Sequence, residues 1–374
     1  MFNRTAWVSL AIIAGLCLVA LALEFWYVLV IAPGSTATSS ILDITPYIPQ
    51  QLVQAKLAGN DAAAVAQYQA IIADPSKVSE EKALATVNIA NVRFHLTGDI
   101  SYTLQDIQNL KNVVADKTVT LRTRATAISI LATMYNNSGR NPQVFTELYK
   151  DAPFSAYLVP GNPELSAINL AKWSYSLRPT SLAAIYIAQI YAAQALEVSG
   201  MSATTTTSYV GLAEANLKKA ETLVNQEAAA NPSYVASDRY LTFRTWHAIT
   251  VGYLAVEKGG AYESEYRQEF NDYFVYMQSQ QSSHSADELL FTRFHFAQTL
   301  GEDKDVQTEK AQLDIIAKNL GNLANPKGNS FVAFLNNEHT YRPTGFKWRT
   351  ILNMFTISSD FKSAVGKLVS AAEQ

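Results

Sequence analysis

Five histidines, His95, His247, His284, His295 and His339, and one cysteine, Cys17, are the side chains here best suited to binding metal or moving protons. Their spacing argues against a metal site. No two histidines stand three or four residues apart, so no helix offers two imidazoles on one face. The chain has no G-x-S-x-G, no P-loop, no G-x-G-x-x-G and no H-E-x-x-H. His247 and His295 sit among aromatic residues, the second within Phe291-Thr-Arg-Phe-His-Phe296, and read as packed side chains. Glu338 and His339, with Tyr341, form the one neighbouring set suited to acid–base chemistry. The acids Asp287-Glu288 and Glu302-Asp303-Asp305 fall at a helix start and in a turn, where the helix dipole accounts for them. The stripe Tyr240, Phe243, Trp246 and Tyr253 reads as core. No metal and no cofactor are expected.

Two further sets suit binding better than catalysis. Asn88, Asn91, Arg93 and His95 fall on one predicted helix, with Asn88 and Asn91 on a shared face. The tail stretch NNEHTYRPTGFKWR, 336–349, gathers Tyr341, Arg342, Phe346, Lys347, Trp348 and Arg349. Aromatic and arginine side chains dominate interface hot spots. The competing reading makes this stretch part of a terminal cap.

The elements that hold these residues begin with an apolar run. From Ala6 to Ala32 the chain carries one charge, Glu24. At about 1.5 Å per residue, such a helix covers the roughly 30 Å hydrocarbon core with length left for tilt. Arg4 precedes the run, and no Lys or Arg follows until Lys56. The positive-inside rule then places the N-terminus in the cytoplasm and the bulk outside it. Trp26 and Tyr27 suit the far interface. Glu24 snorkels there or pairs with a second anchor, a route to oligomers. Cleavage after Ala20-Leu21-Ala22 would leave a greasy new terminus, so an uncleaved signal anchor is expected, with residues 6–32 in the lipid bilayer. Cys17 lies inside that helix and leaves no cysteine for an exported disulfide framework. A net charge of −3 offers no basic field for nucleic acid.

Residues 33–50, with three prolines and a Ser/Thr cluster, read as a linker. Helical hairpins follow. Gln51–Leu57 and Asp61–Ala73 flank Gly59-Asn60, and Pro75 closes the pair. Lys82–Leu96 pairs with Tyr102–Val114, and Leu121–Asn136 with Pro142–Lys150. Asp151–Pro163, rich in proline, reads as a bend. Beyond it come Leu165–Ser176, Ser181–Val198, a polar loop over Ser202–Ser208, Tyr209–Ala229, Ser237–Glu257, Tyr262–Gln280, Ala286–Leu300, Val306–Leu323 and closing turns at Ile351–Phe355 and Asp360–Ala372. No stretch shows the sustained alternation of a sheet, so the chain is expected to be all-α.

The stretch GNDAAAVAQYQAIIADP resembles a tetratricopeptide repeat, with Gly59, Ala64, Tyr68 and Pro75 as turn, crossing, groove filler and stop. The resemblance implies an N-terminal transmembrane helix followed by a right-handed helix-turn-helix solenoid. Residues 51–150 would be the repeats, 151–330 further irregular hairpins and 331–374 the cap. It further implies an adaptor that binds a protein or peptide partner outside the cytoplasm, in envelope assembly, secretion or chaperone assistance, with Asn88, Asn91, Arg93 and His95 on the groove side. The alternative is an envelope glycan-binding protein or hydrolase using 336–349.

Overall fold

The computed structural model describes residues 61–96, 100–139, 141–199, 202–236, 238–279, 286–321, 331, 335 and 346–372. The expected anchor with Glu24, Trp26 and Tyr27, the linker 33–50 and the helix Gln51–Leu57 lie outside the described residues. What is described is helical throughout, with no strand. In chain order the α-helices are α1 (Asp61–Ala73), α2 (Ser79–Leu96), α3 (Ile100–Ala115), α4 (Leu121–Ser138), α5 (Pro142–Tyr149), α6 (Pro163–Leu177) and α7 (Ser181–Val198). They continue with α8 (Ala203–Ala230), α9 (Asp238–Lys258), α10 (Ala261–Ser279), α11 (Ala286–Glu302), α12 (Val306–Leu320), α13 (Phe346–Ile357) and α14 (Ser359–Ala372).

Local chemistry sets the starts. Thr120, Asn141, Asn162, Thr180, Ser202 and Asp305 each accept a hydrogen bond from a backbone N–H in the first turn that follows. Pro142 and Pro163 occupy first-turn positions, where a missing N–H costs nothing. The Ser/Thr tract expected as a loop is instead the first two turns of α8. Ser202 caps the helix, while Thr206 and Thr207 donate their hydroxyls to the carbonyls of Ser202 and Ala203. Back-bonding of this kind lets threonines sit in a helix without competing for its N–H groups.

Among the described helices, the close contacts run between helices one or two places apart in order. One continuous row passes α2, α4, α6, α7, α9, α11 and α13, each in contact with the next. The prolyl stretch after α5 does not interrupt it. Phe154 and Tyr157, in a short 3-10 turn, pack on Trp173 of α6, with Tyr157 stacked at 4.5 Å and 3°. At the α4–α6 crossing, Ser174 Oγ donates to the Ala125 carbonyl at 2.7 Å, with Ser129 Oγ at the same distance. Small side chains there let the two backbones approach.

Among the described helices, α7 is long and apolar enough to cross a membrane by composition. Yet fourteen of its eighteen residues are buried inside the protein, and it contacts α6, α8 and α9. A helix that is apolar on all sides is what such a central position demands. Downstream, Gly252 marks a close crossing of α9 and α11. A Cβ there would stand 2.8 Å from Thr299 Oγ1 and 3.3 Å from the Phe270 ring. At the other end, Tyr68 of α1 packs against Ala85 and Ile89 of α2.

Gly252→Val is expected to cost about 1–3 kcal/mol through overpacking. Gly211→Ala, on the exposed side of α8 with nothing within 4 Å of the added Cβ, should gain about 0.5–1 kcal/mol. Urea midpoints of the two variants should therefore move in opposite directions.

Candidate interaction surface

Three successive helices enclose a half-open cleft of about 140 Å³. It is lined by Gln69 and Ile72 of α1, Thr86 and Ile89 of α2, and Gln105 and Asn109 of α3. Each helix contributes two residues three or four apart, which puts each pair on one face. The helix α2 forms the floor, because it contacts both α1 and α3. Ile89 is buried there, while Ile72 is exposed at 37% on the rim. Among the described residues the lining holds three carboxamides, one hydroxyl and two isoleucines, and no ionisable group. Carboxamides donate and accept at once, so the cleft can pair with both the N–H and the C=O of an extended backbone while its isoleucines cover an apolar side chain.

Of the residues expected to bind, Asn88 neighbours this cleft without lining it. Asn88 is half-buried on α2. By helical register it shares a stripe with positions 91 and 95, whereas Thr86 and Ile89 share the adjacent stripe with position 93. The side chains of Asn91, Arg93 and His95 lie outside the described ones. In the tail, Tyr341 and Arg342 lie outside the described residues. Phe346, Trp348 and Arg349 fall in the first turn of α13, and their side chains are outside the described set. Gln69, Gln105 and Asn109 were missed by sequence reasoning. The i, i+4 spacing of Gln105 and Asn109 was a readable signal, but partners on α1 and α2 appear only when the three helices are packed.

Two histidines prove to be interhelix staples. His247 of α9 is buried. Its Nδ1 lies 3.2 Å from Glu269 of α10 and its Nε2 3.2 Å from Glu221 of α8. Arg244 approaches Glu269 at 3.6 Å. With a carboxylate at each ring nitrogen, both nitrogens donate and the ring is an imidazolium. Burial disfavours that charge, but the two hydrogen bonds and the two negative charges outweigh it and raise the pKa to about 9. An imidazole held this way is no free base. His295 of α11 is buried and its Nδ1 lies 2.8 Å from the Tyr253 hydroxyl of α9. The aromatic stripe divides: Phe243 and Tyr253 are core, while Tyr240 and Trp246 are half-buried. Trp246 bridges Tyr186 of α7 and Phe291 of α11, at 5.9 Å to each ring.

Among the described residues no three His, Cys, Asp or Glu side chains are grouped as a metal would require. Serine 181 has a carboxylate and a phenol beside it, yet their geometry is that of a cap. Ser181 donates both its N–H, at 3.0 Å, and its hydroxyl to Glu227, and Tyr234 Oη lies 3.0 Å from the same hydroxyl. Comparison with known protein families, with characterised proteins and with solved structures finds no match to this chain.

Because the folded-state pKa of His247 is raised, its stabilisation is complete below the unfolded value near 6.5 and is lost as pH rises through about 9. The loss should be on the order of 3 kcal/mol. Urea midpoints across that window should fall in the natural protein and fall much less in His247→Gln.

Proposed function

We propose that this chain is a membrane-anchored helical scaffold that binds a protein partner outside the cytoplasm, as an adaptor and not an enzyme. The observation that carries the reading is the order of contacts: each described helix packs on described helices one or two places along. That is the arrangement of helical-repeat solenoids, in which each unit leans only on its neighbours and an extended surface is left for partners. The resemblance of residues 59–75 to a tetratricopeptide repeat agrees with it. The apolar run 6–32 supplies the anchor, and its flanking charges give the extracytoplasmic orientation.

Within this reading the cleft on α1–α3 is the first docking site for the partner. Its neutral, amide-rich lining suits an extended peptide segment, and Asn88 and Asn91 on the neighbouring stripe extend the polar surface. The tail stretch with Tyr341, Arg342, Phe346, Trp348 and Arg349 is the second contact region.

Photoreactive residues placed singly at Gln105 and at Trp348, in the full chain in intact membranes, test both sites. A discrete crosslinked protein at Gln105, lost when Asn109→Lys fills and charges the cleft, is the expected result. Capture at Trp348 alone would move the partner surface to the tail. Silence at both positions in a folded, membrane-inserted chain would sink the adaptor reading.

A further inference from the structure

The turn between α11 and α12 buries an acid that no described cation balances. Glu309, in the first turn of α12, is 1% exposed, and its Oε2 has no hydrogen-bond partner. The carboxyl lies flat on Gly301. A Cβ at that glycine would stand 2.8 Å from Oε1 and 2.9 Å from Oε2, so only glycine leaves the space. Burial raises the Glu309 pKa, the charge of Glu302 raises it further, and together they push it to about 7.

Glu302 links this acid to its surroundings. Its Oε1 accepts from Thr350 Oγ1 of α13 at 3.4 Å. Its charge also raises the pKa of Glu257 of α9, after burial as the first cause. Glu257 accepts from Ser199 Oγ at 3.4 Å. Several other charges of this corner are committed elsewhere. Arg267 of α10 donates to Asp303 and Asp305 at 2.8 Å each, and Tyr266 Oη donates to Asp303 at 2.6 Å. Asp305 also caps α12 at the Thr308 N–H. Lys304 lies in the turn itself with φ 63°. From the α14 side, Ser358 and Lys310 both bind Asp314, and Asp360 acts on Lys310. Lys347 and Arg349 of α13 have side chains outside the described set.

We propose that Glu309 is a proton-operated latch on the α11–α12 turn. Protonated, it lies dry against Gly301 while α13 stays docked through Thr350 and Glu302. Ionised, it repels Glu302 and draws water into the turn, and the first turn of α12 loosens together with the start of α13. The direction follows from linkage. A buried acid with a raised pKa contributes stability that is complete below the unfolded value near 4.5 and is lost as pH rises through about 7. The latch therefore closes on the acid side and opens on the alkaline side.

Hydrogen exchange on the full chain in detergent micelles reads this directly, with exchange times scaled for the intrinsic pH effect. Between about pH 6 and about pH 8, the amides of 303–312 and 346–355 should lose protection about tenfold, with α7 as the unaffected reference. Glu309→Gln, neutral at every pH, should hold full protection across the range. Glu302→Gln removes the repelling neighbour, so its transition should move to lower pH. Equal protection of the natural chain at both pH values would overturn the latch. So would an undiminished tenfold loss in Glu309→Gln, or, if that variant does not fold, an unmoved transition in Glu302→Gln.

Discussion

Burial of α7 is the constraint on which the rest of the fold depends. Its apolar surface faces α6, α8 and α9 at once, and no single neighbour covers it. The row of helices must therefore continue on both sides of residues 181–198. Upstream, α6 brings α4 with it through the Ser129 and Ser174 contacts. Downstream, α9 brings α11 through the Gly252 crossing and the Trp246 ring. Apolar burial of this kind is non-directional, so it holds the row together without fixing how the helices register.

Register comes from polar side chains that reach across. Glu80 of α2 accepts from the Thr120 N–H and hydroxyl at 2.8 Å and from the Thr123 hydroxyl, and so caps α4 from outside. Glu227 of α8 does the same for the start of α7 at Ser181. Lys111 of α3, almost fully buried, holds the Glu147 carbonyl at 2.9 Å and the carboxylates of Glu147 and Asp151 at the end of α5. A buried charge left without its partner costs far more than a lost surface pair. The links of Lys111 and Glu227, both buried, therefore penalise a slipped arrangement more strongly than they stabilise the correct one.

How much of this was legible in the residues depends on the length scale. The bounds of α1 and α7 follow directly from their sequences, because stop signals such as Pro75 and caps such as Thr180 act within one turn. The start of α8 did not, because serine and threonine favour turns and helix interiors by nearly balanced margins, and back-bonding to the i−4 carbonyls decided it. The stripe of aromatic residues on α9 was rightly assigned to packing at Phe243 and Tyr253. The cleft was the least legible feature. Gln105 and Asn109 show their shared face in spacing alone. Yet Gln69 and Thr86 join them only because α2 packs on both α1 and α3, and contacts between helices leave no local signature.

Two of the buried groups with shifted protonation, His247 and Glu309, act in one direction. Acid denaturation of most proteins comes from carboxylates that are charged and paired in the fold and must take up protons as pH falls. Here His247 is held as a cation between two carboxylates and Glu309 is held neutral by burial, so each binds its proton more tightly folded than unfolded. Both contributions therefore fade as pH rises, in separate windows and at separate places. Glu309 gives way first, at the α11–α12 turn. His247 gives way later, where α8, α9 and α10 meet. Rising pH accordingly loosens the α11–α12 turn before it reaches the junction of α8, α9 and α10.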